Sequence, residues 1–193
     1  MLENLSKYHV LLASKSPRRR ELLQQLRIPF NVITIGGVDE SFPADISPLD
    51  AAQYVSRKKA EAYREKISGD EMIITADTMV VVDDLIFGKP KDAKQATEML
   101  KTLSGRTHQV VTGVTISTIE RTRAFSVVTD VTFAPIDDDD IRYYIENFQP
   151  FDKAGAYGIQ EWIGCIAVSS INGSYYNVMG LPVHRLYHEL REF

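Results

Sequence analysis

One cysteine in 193 residues excludes an intrachain disulfide framework, and such sparing use fits a reducing cytoplasm. Its setting, "WIGCIAV", is apolar, so Cys165 reads as an inert buried thiol. No apolar run approaches the roughly 20 residues that a membrane helix needs. The first residues, "MLENLSKYHVLLASKS", carry Glu3 early and only a short apolar run, so they do not read as a secretory signal. There is no excess of positive charge either. Against 26 Asp and Glu, the 22 Lys and Arg leave a net charge of -4, which argues against bulk binding to nucleic acid, so any anion site must be local.

The common motifs are missing too. Neither GxxxxGK[ST] nor a GxGxxG between strand and helix occurs, so the usual nucleotide loops are absent. His184 and His188 stand four apart, but Arg185 occupies the place where a zincin carries glutamate. The run Asp137 to Asp140 has no EF-hand glycine spacing after it, and acids at a helix start are favoured by the backbone dipole. "NGS" at Asn172 matches a glycosylation acceptor formally, yet it reads as a hairpin turn.

What is present is an ordinary globular composition, 44% apolar and 25% charged. A chain of this length buries roughly 70% of its unfolded surface. Strand and helix signals alternate. "HVLLAS" reads as a buried strand and "PRRRELLQQLR" as a helix with Ser16 at the N-cap and Pro17 at its first position. "FNVITI" is a strand, and "LDAAQYVSRKKAEAYREKI" a long helix with Ser47 as cap. "EMIITADTMVVVDDLIFGKP" divides into a strand ending near Ala76, a second strand, and a hairpin at Asp83 and Asp84. "DAKQATEMLKTLSG" is a helix with Gly105 just past its end. Two long strands, "HQVVTGVTISTI" and "RAFSVVTDVTFAPI", pair antiparallel across "ERT" and are followed by the helix "DDDIRYYIENF". "IGCIAVSSI" reads as a strand, and a closing helix starts at Pro182. Without repeats or linkers, residues 1–193 read as one α/β domain with a mixed sheet.

Three constellations could carry chemistry. In "LLASKSPRRRELL" three arginines open a helix, where the dipole is already positive and cations cost roughly 0.3 to 1 kcal/mol. A phosphate site built with Ser14, Ser16 and free amides accounts for this; a basic surface turn is the plainer alternative. In "ITADTMVV", Asp77 at a strand end could hold a hard cation or take a proton from water, or simply form a turn with Thr78. In "FGKPKD", Lys89 stands as a point charge between Gly88 and Pro90, suited to phosphate or to plain solvation. Glu40 in "VDES" and Lys59 in "KKAEAY" read as surface unless something ties them to the rest.

The blocks "LLASKSPRRRELL", "VDES", "KKAEAY", "ADTMVV", "GKPKD", "SGRTHQVVTGV", "FDKAGAYGIQ" and "NGSYYNVMGLP", in this order and across nearly the whole chain, resemble the Maf family of nucleoside triphosphate pyrophosphatases. "KAGAYGIQ" is similar to the branch acting on dTTP and UTP. The resemblance implies an α/β fold with an elongated mixed sheet flanked by helices, in two lobes around a substrate cleft, as in inosine triphosphatases. It also implies a divalent cation, magnesium or manganese, and a homodimer, while the composition adds a cytoplasmic setting and no nucleic-acid or membrane partner. Hydrolysis of the α-β phosphoanhydride of dTTP, UTP or modified pyrimidine nucleotides is the expected activity. A preference for 7-methyl-GTP or another modified nucleotide, and a nucleotide-sensing role in cell division and septum formation, stand as alternatives.

Carried over by position, the resemblance makes Asp77 the catalytic carboxylate, and Glu40 with Asp77 the metal ligands. Ser14, Arg18, Arg19, Lys59, Thr78, Lys89 and Gln160 become substrate contacts, with Gln160 a reader of the pyrimidine edge. Ser56 stands where the family carries alanine three residues before the lysine, and Ala60 after it favours Lys59 over Lys58.

Overall fold

A computed structural model describes residues 2–34, 36–65, 67 and 69–193. Ile35 and Lys66, which the patterns assign to a strand and a helix, lie outside the described residues. The order is β1 (His9–Ala13), α1 (Pro17–Gln25), β2 (Asn31–Ile33), α2 (Pro48–Arg64), β3 (Glu71–Val82), β4 (Leu85–Phe87), α3 (Ala93–Leu103), β5 (Thr107–Ser117) and β6 (Thr122–Phe133). Then come α4 (Asp138–Phe148), α5 (Trp162–Ala167), β7 (Val168–Asn172), α6 (Tyr175–Met179) and α7 (Val183–Arg191). The strands form one mixed sheet in the order β2-β1-β3-β5-β6-β7, with β4 paired to β3.

The chain divides into two compact units. The first comprises Met1–Asp77, Thr112–Val127 and Gly180–Phe193. Here β1 lies parallel to β2 and to β3, in the registers Leu12 with Val32 and Leu12 with Ile74. β1 and the first half of β3 are buried almost throughout, which is why they read as unbroken apolar runs, whereas β2 at the sheet edge is largely exposed. Leu22 and Leu23 of α1 and Ala51, Ala52 and Val55 of α2 are buried. Helix α2 lies unusually close to β5: a Cβ on Gly113 would stand 2.3 Å from the Gln53 amide nitrogen, so only glycine permits this approach. Ser56 shares a hydroxyl hydrogen bond with Thr115 at 2.8 Å, and the Thr75 hydroxyl donates to the Ser56 carbonyl at 2.7 Å. Ser56 thus bolts α2 to β3 and β5.

The second unit comprises Thr78–Val111 and Val128–Met179. Val82 and Leu85 pair across the β3–β4 hairpin, where Asp83 takes φ 51°. Side-chain bonds join Thr107 to Thr132 and Gln109 to Asp130, and in the first unit Ser117 to Thr122; each advance along β5 is matched by a retreat along β6, so the two are antiparallel. The core here gathers Leu100 and Leu103 of α3, Phe133 of β6, Ile141 and Tyr144 of α4 and Ile163 of α5.

Four expectations need correction. Strand β3 does not stop near Ala76; its twelve residues run through Asp77 and Thr78, because the backbone ladder is indifferent to two half-buried polar side chains. "WIGCIA" is helical rather than extended, and Cys165 is exposed on that helix. The turn at Gly173 leads from β7 into α6, so it closes no hairpin. Its φ of 134° and the 2.7 Å from a built Cβ to Thr129 Oγ1 explain the glycine.

Candidate active site

In the first unit, β1 delivers the chain into a serine turn. The Ser16 amide donates to Ser14 Oγ at 3.2 Å, and Ser16 Oγ accepts from the Arg19 amide at 3.4 Å as the cap of α1, with Pro17 at its first position. Arg18 and Arg19 are half-buried and Arg20 is exposed, as the 100° step between successive helical side chains requires. Arg19 turns inward: its Nε donates to the Gly180 carbonyl and its Nη1 to the Ala76 carbonyl, both at 2.8 Å. Burial lowers its pKa, Arg18 acts in the same direction, and the fields of Asp77 and Glu40 oppose them. One of its donors therefore holds the main chain at the residue before Asp77, and another holds it at Gly180.

The centre of this set is Lys59. Its ammonium lies 2.7 Å from Asp77 Oδ1 and 3.1 Å from Glu40 Oε1. The side chains of Lys59 and Asp77 are 13% and 15% exposed, that of Glu40 56%. Lys59 reaches this point because α2 is fixed by Ser56, one turn earlier on the same helix face. Its neighbour Lys58 takes another course, donating to Asp39 Oδ2 and the Ser41 carbonyl at 2.8 Å each. That bond, with two more from Ser41, holds the Asp39 carboxyl well below the usual range.

The donor set suits a hard divalent cation. Glu40 and Asp77 offer carboxylate oxygens that converge on one positive point, at present the Lys59 ammonium. Among the described residues no group of three or more His, Cys, Asp or Glu side chains is arranged to hold a metal. Magnesium is commonly held through only one or two carboxylates, with the remaining positions left to phosphate and water, so the pair Glu40 and Asp77 meets that minimum.

In the second unit, Thr78 follows Asp77 along β3 and is half-buried. Lys89 is exposed in the turn Gly88–Pro90. That turn is pinned: the Gly155 amide donates to the Gly88 carbonyl at 3.1 Å, and Gly155 takes φ 67° with a built Cβ only 2.8 Å from Val80 Cγ2. Gln160 is exposed at the end of the same glycine-bearing segment. Thus Glu40, Lys59 and Asp77 meet directly, Arg19 braces them through the main chain, and the segments carrying Lys89 and Gln160 are joined by a backbone bond.

Sequence reasoning missed a second polar cluster. Lys153, 8% exposed, donates to Asp152 Oδ1 at 2.7 Å and lies 3.0 Å from Glu161 Oε1. Tyr144, fully buried, donates to Glu161 Oε2 and accepts from the Gly158 amide at 3.0 Å. Burial foremost, and then the bond to Glu161, raises the Tyr144 pKa. No spacing in "KAGAYGIQE" pairs Lys153 or Glu161 with Tyr144, so the sequence carried no signal for this cluster.

A profile of the family described as Maf-like protein matches residues 9–193. A dTTP/UTP pyrophosphatase of Porphyromonas gingivalis strain ATCC 33277 is 55% identical over 195 residues, covering 100% of this chain and 98% of that protein. A dTTP/UTP pyrophosphatase of Bacteroides thetaiotaomicron is 50% identical over 192 residues, covering 100% of both. Among solved structures, a HAM1 protein from Coxiella burnetii shares the fold, with a TM-score of 0.50 and 14% identity over 96% of this chain and 100% of that one.

Proposed function

Because the chain belongs to the Maf-like protein family, we propose that it hydrolyses dTTP and UTP at the α-β phosphoanhydride, giving the monophosphate and pyrophosphate. The names of its relatives at 50 and 55% identity support the substrate class. The observation that carries the chemistry is the convergence of Asp77 and Glu40 on Lys59. A sensor of nucleotides would need cations alone, whereas a hydrolase needs a carboxylate beside them to take a proton.

In this reading a water attacks phosphorus, its oxygen forms the new P–O bond, and Asp77 accepts its proton. The anhydride P–O bond breaks, and its electron pair leaves with pyrophosphate. Lys59 and Arg18 supply positive charge to the phosphates, with Lys89 as a further point charge and the Ser14 hydroxyl as a donor. Arg19 supports Asp77 through the Ala76 carbonyl. Glu40 and Asp77 would hold magnesium or manganese, which when bound neutralises phosphate charge and polarises the attacked group. Gln160 and Thr78 distinguish the base, the amide of Gln160 matching the donor and acceptor of a pyrimidine edge. Among the described residues no helix is long and apolar enough to cross a membrane. With one cysteine and a net charge of -4, a cytoplasmic setting free of nucleic acid is the one we propose, and the homodimer rests on the family resemblance alone.

The test is a pyrophosphate-release panel of dTTP, UTP, the other canonical triphosphates and 7-methyl-GTP, each with magnesium and with manganese. dTTP and UTP should lead. Faster turnover of 7-methyl-GTP would overturn the base assignment, and nucleotide binding without pyrophosphate release would overturn the enzymatic reading.

A further inference from the structure

The buried cluster of Tyr144, Lys153 and Glu161 lies outside the chemistry above, yet it adjoins Gln160. Gly158 is the point of contact. A Cβ built on it would stand 2.9 Å from Glu161 Cδ, 3.0 Å from Gln160 Nε2 and 3.0 Å from Lys153 Cε. Three side chains therefore converge over one glycine, whose amide is held in turn by the Tyr144 hydroxyl at 3.0 Å. The hydroxyl uses both its hydrogen and a lone pair, since it also donates to Glu161 Oε2. Glu161 Oε1 faces the Lys153 ammonium at 3.0 Å. Around this ring each polar group restrains the next, and Gln160 is the exposed side chain resting against it.

We infer that Tyr144, Lys153 and Glu161 are positioning residues that fix the backbone at Gly158 and thereby the orientation of the Gln160 amide, so that they set which base is accepted without touching the nucleotide. An amide has a donor end and an acceptor end. Uracil and thymine present a carbonyl and an N–H where cytosine presents an amine and a bare nitrogen, so a rotated amide loses its preference between them. Discrimination of this kind comes from groups held still: a site that can turn to satisfy either partner rejects neither. The inference rests on the proposed reading of Gln160 as the base contact.

The test compares full-length wild type with Glu161→Gln, Tyr144→Phe, Lys153→Met and Lys153→Arg. The first measurement is kcat and KM for dTTP, UTP and dCTP. In Glu161→Gln and Tyr144→Phe the preference for dTTP over dCTP should fall roughly tenfold, with KM for dTTP changing more than kcat. Lys153→Arg should restore most of the preference that Lys153→Met loses. The second measurement needs no turnover: the side-chain amide signal of Gln160 in the nitrogen-15 spectrum, identified by its loss in Gln160→Ala, should shift or broaden in Glu161→Gln without nucleotide. Should Glu161→Gln not fold, Tyr144→Phe carries both measurements, since it removes a single oxygen. An unmoved Gln160 signal, or a base preference within twofold of wild type in a folded variant, would overturn the inference. If wild type releases no pyrophosphate from dTTP or UTP, the proposed function fails on its own account, while the Gln160 signal still decides whether the cluster fixes that amide.

Discussion

Two ionic clusters of this protein, one around Lys59 and one around Lys153, are built from the same kinds of residue and are finished differently. Around Lys59 the acids are asymmetric: Asp77 is 15% exposed and Glu40 56%, so the lysine's partners can be exchanged for others. Around Lys153, at 8% exposure, the carboxylate, the tyrosine hydroxyl and a backbone amide satisfy one another in a ring. A group that must accept a phosphate or a proton needs a partner it can leave. A group that must hold a loop needs partners it cannot. The sequence separations differ in the same sense, since Glu40, Lys59 and Asp77 come from three distant segments, whereas Tyr144 to Glu161 is one short stretch.

Replacing Asp77 by asparagine is the sharpest way to probe the open cluster. The amide keeps the shape and the bond from Lys59 but cannot take a proton, so the variant should fold and turn over dTTP about 10² to 10³ times more slowly, or about 2.7 to 4 kcal/mol in barrier. Single-turnover pyrophosphate release beside a circular dichroism spectrum decides the matter. Wild-type turnover in a folded protein would leave the cluster a structural one, like its counterpart.

Acid should next weaken the core that the closed cluster shares through Tyr144 with Tyr157 and Phe133. His108 of β5 is 1% exposed, bonded by Nε2 to the Tyr157 hydroxyl at 2.8 Å and packed at right angles on Phe133. Burial pushes its pKa down from 6.5 to about 4. The unfolded chain therefore binds the extra proton between those two values. The contribution to stability is present above pH 6.5 and is lost as pH falls toward 4, about 3 kcal/mol in all. Urea midpoints of wild type and His108→Gln, followed from pH 7 to 4.5, should converge as the pH drops. Parallel curves would mean that this imidazole does not sense acid.

Legibility followed the range of the interactions. The α1 cap at Ser16 with Pro17, the turn at Asp83, and the end of α3 before Gly105 were readable because each is fixed by residues within one turn. Helix α5 was not. Its isoleucines and its cysteine fit a strand pattern equally well, and a contact from outside the helix, Gly164 packed so tightly on the Ile159 carbonyl that no Cβ fits, attends its helical turn. Asp77 was legible as a residue of interest, but no periodicity could pair it with Lys59 and Glu40; that grouping came from the family resemblance. The Lys153 cluster stayed hidden because Asp, Lys and Glu in a loop look solvated until a buried tyrosine hydroxyl is found among them.

Adjacent lysines offer a finer contrast. Lys59→Met removes the charge that Asp77 and Glu40 share and should slow turnover of dTTP by at least about tenfold. Lys58→Met breaks a bond to the exposed Asp39 and should leave turnover within about threefold of wild type. Steady-state rates at matched magnesium separate the two. Equal losses would show that positive charge along α2 matters in bulk, and that the particular contact with Asp77 does not.

The smallest effect asks whether distance alone makes a cluster. Lys101 at the end of α3 and Asp138 at the start of α4 lie 2.8 Å apart, scarcely more than Lys59 and Asp77, but their side chains are 49% and 72% exposed. Water already solvates both, and holding two mobile side chains in one geometry offsets much of the attraction. Each also sits at the helix end that the backbone dipole favours, so part of what either contributes survives loss of the other. Lys101→Ala should therefore lower stability by no more than about 0.5 kcal/mol by urea unfolding, and less still in high salt. A loss above about 1 kcal/mol would mean that short ion pairs count alike wherever they stand. The difference drawn between the open and closed clusters from their exposure would then have no energetic basis.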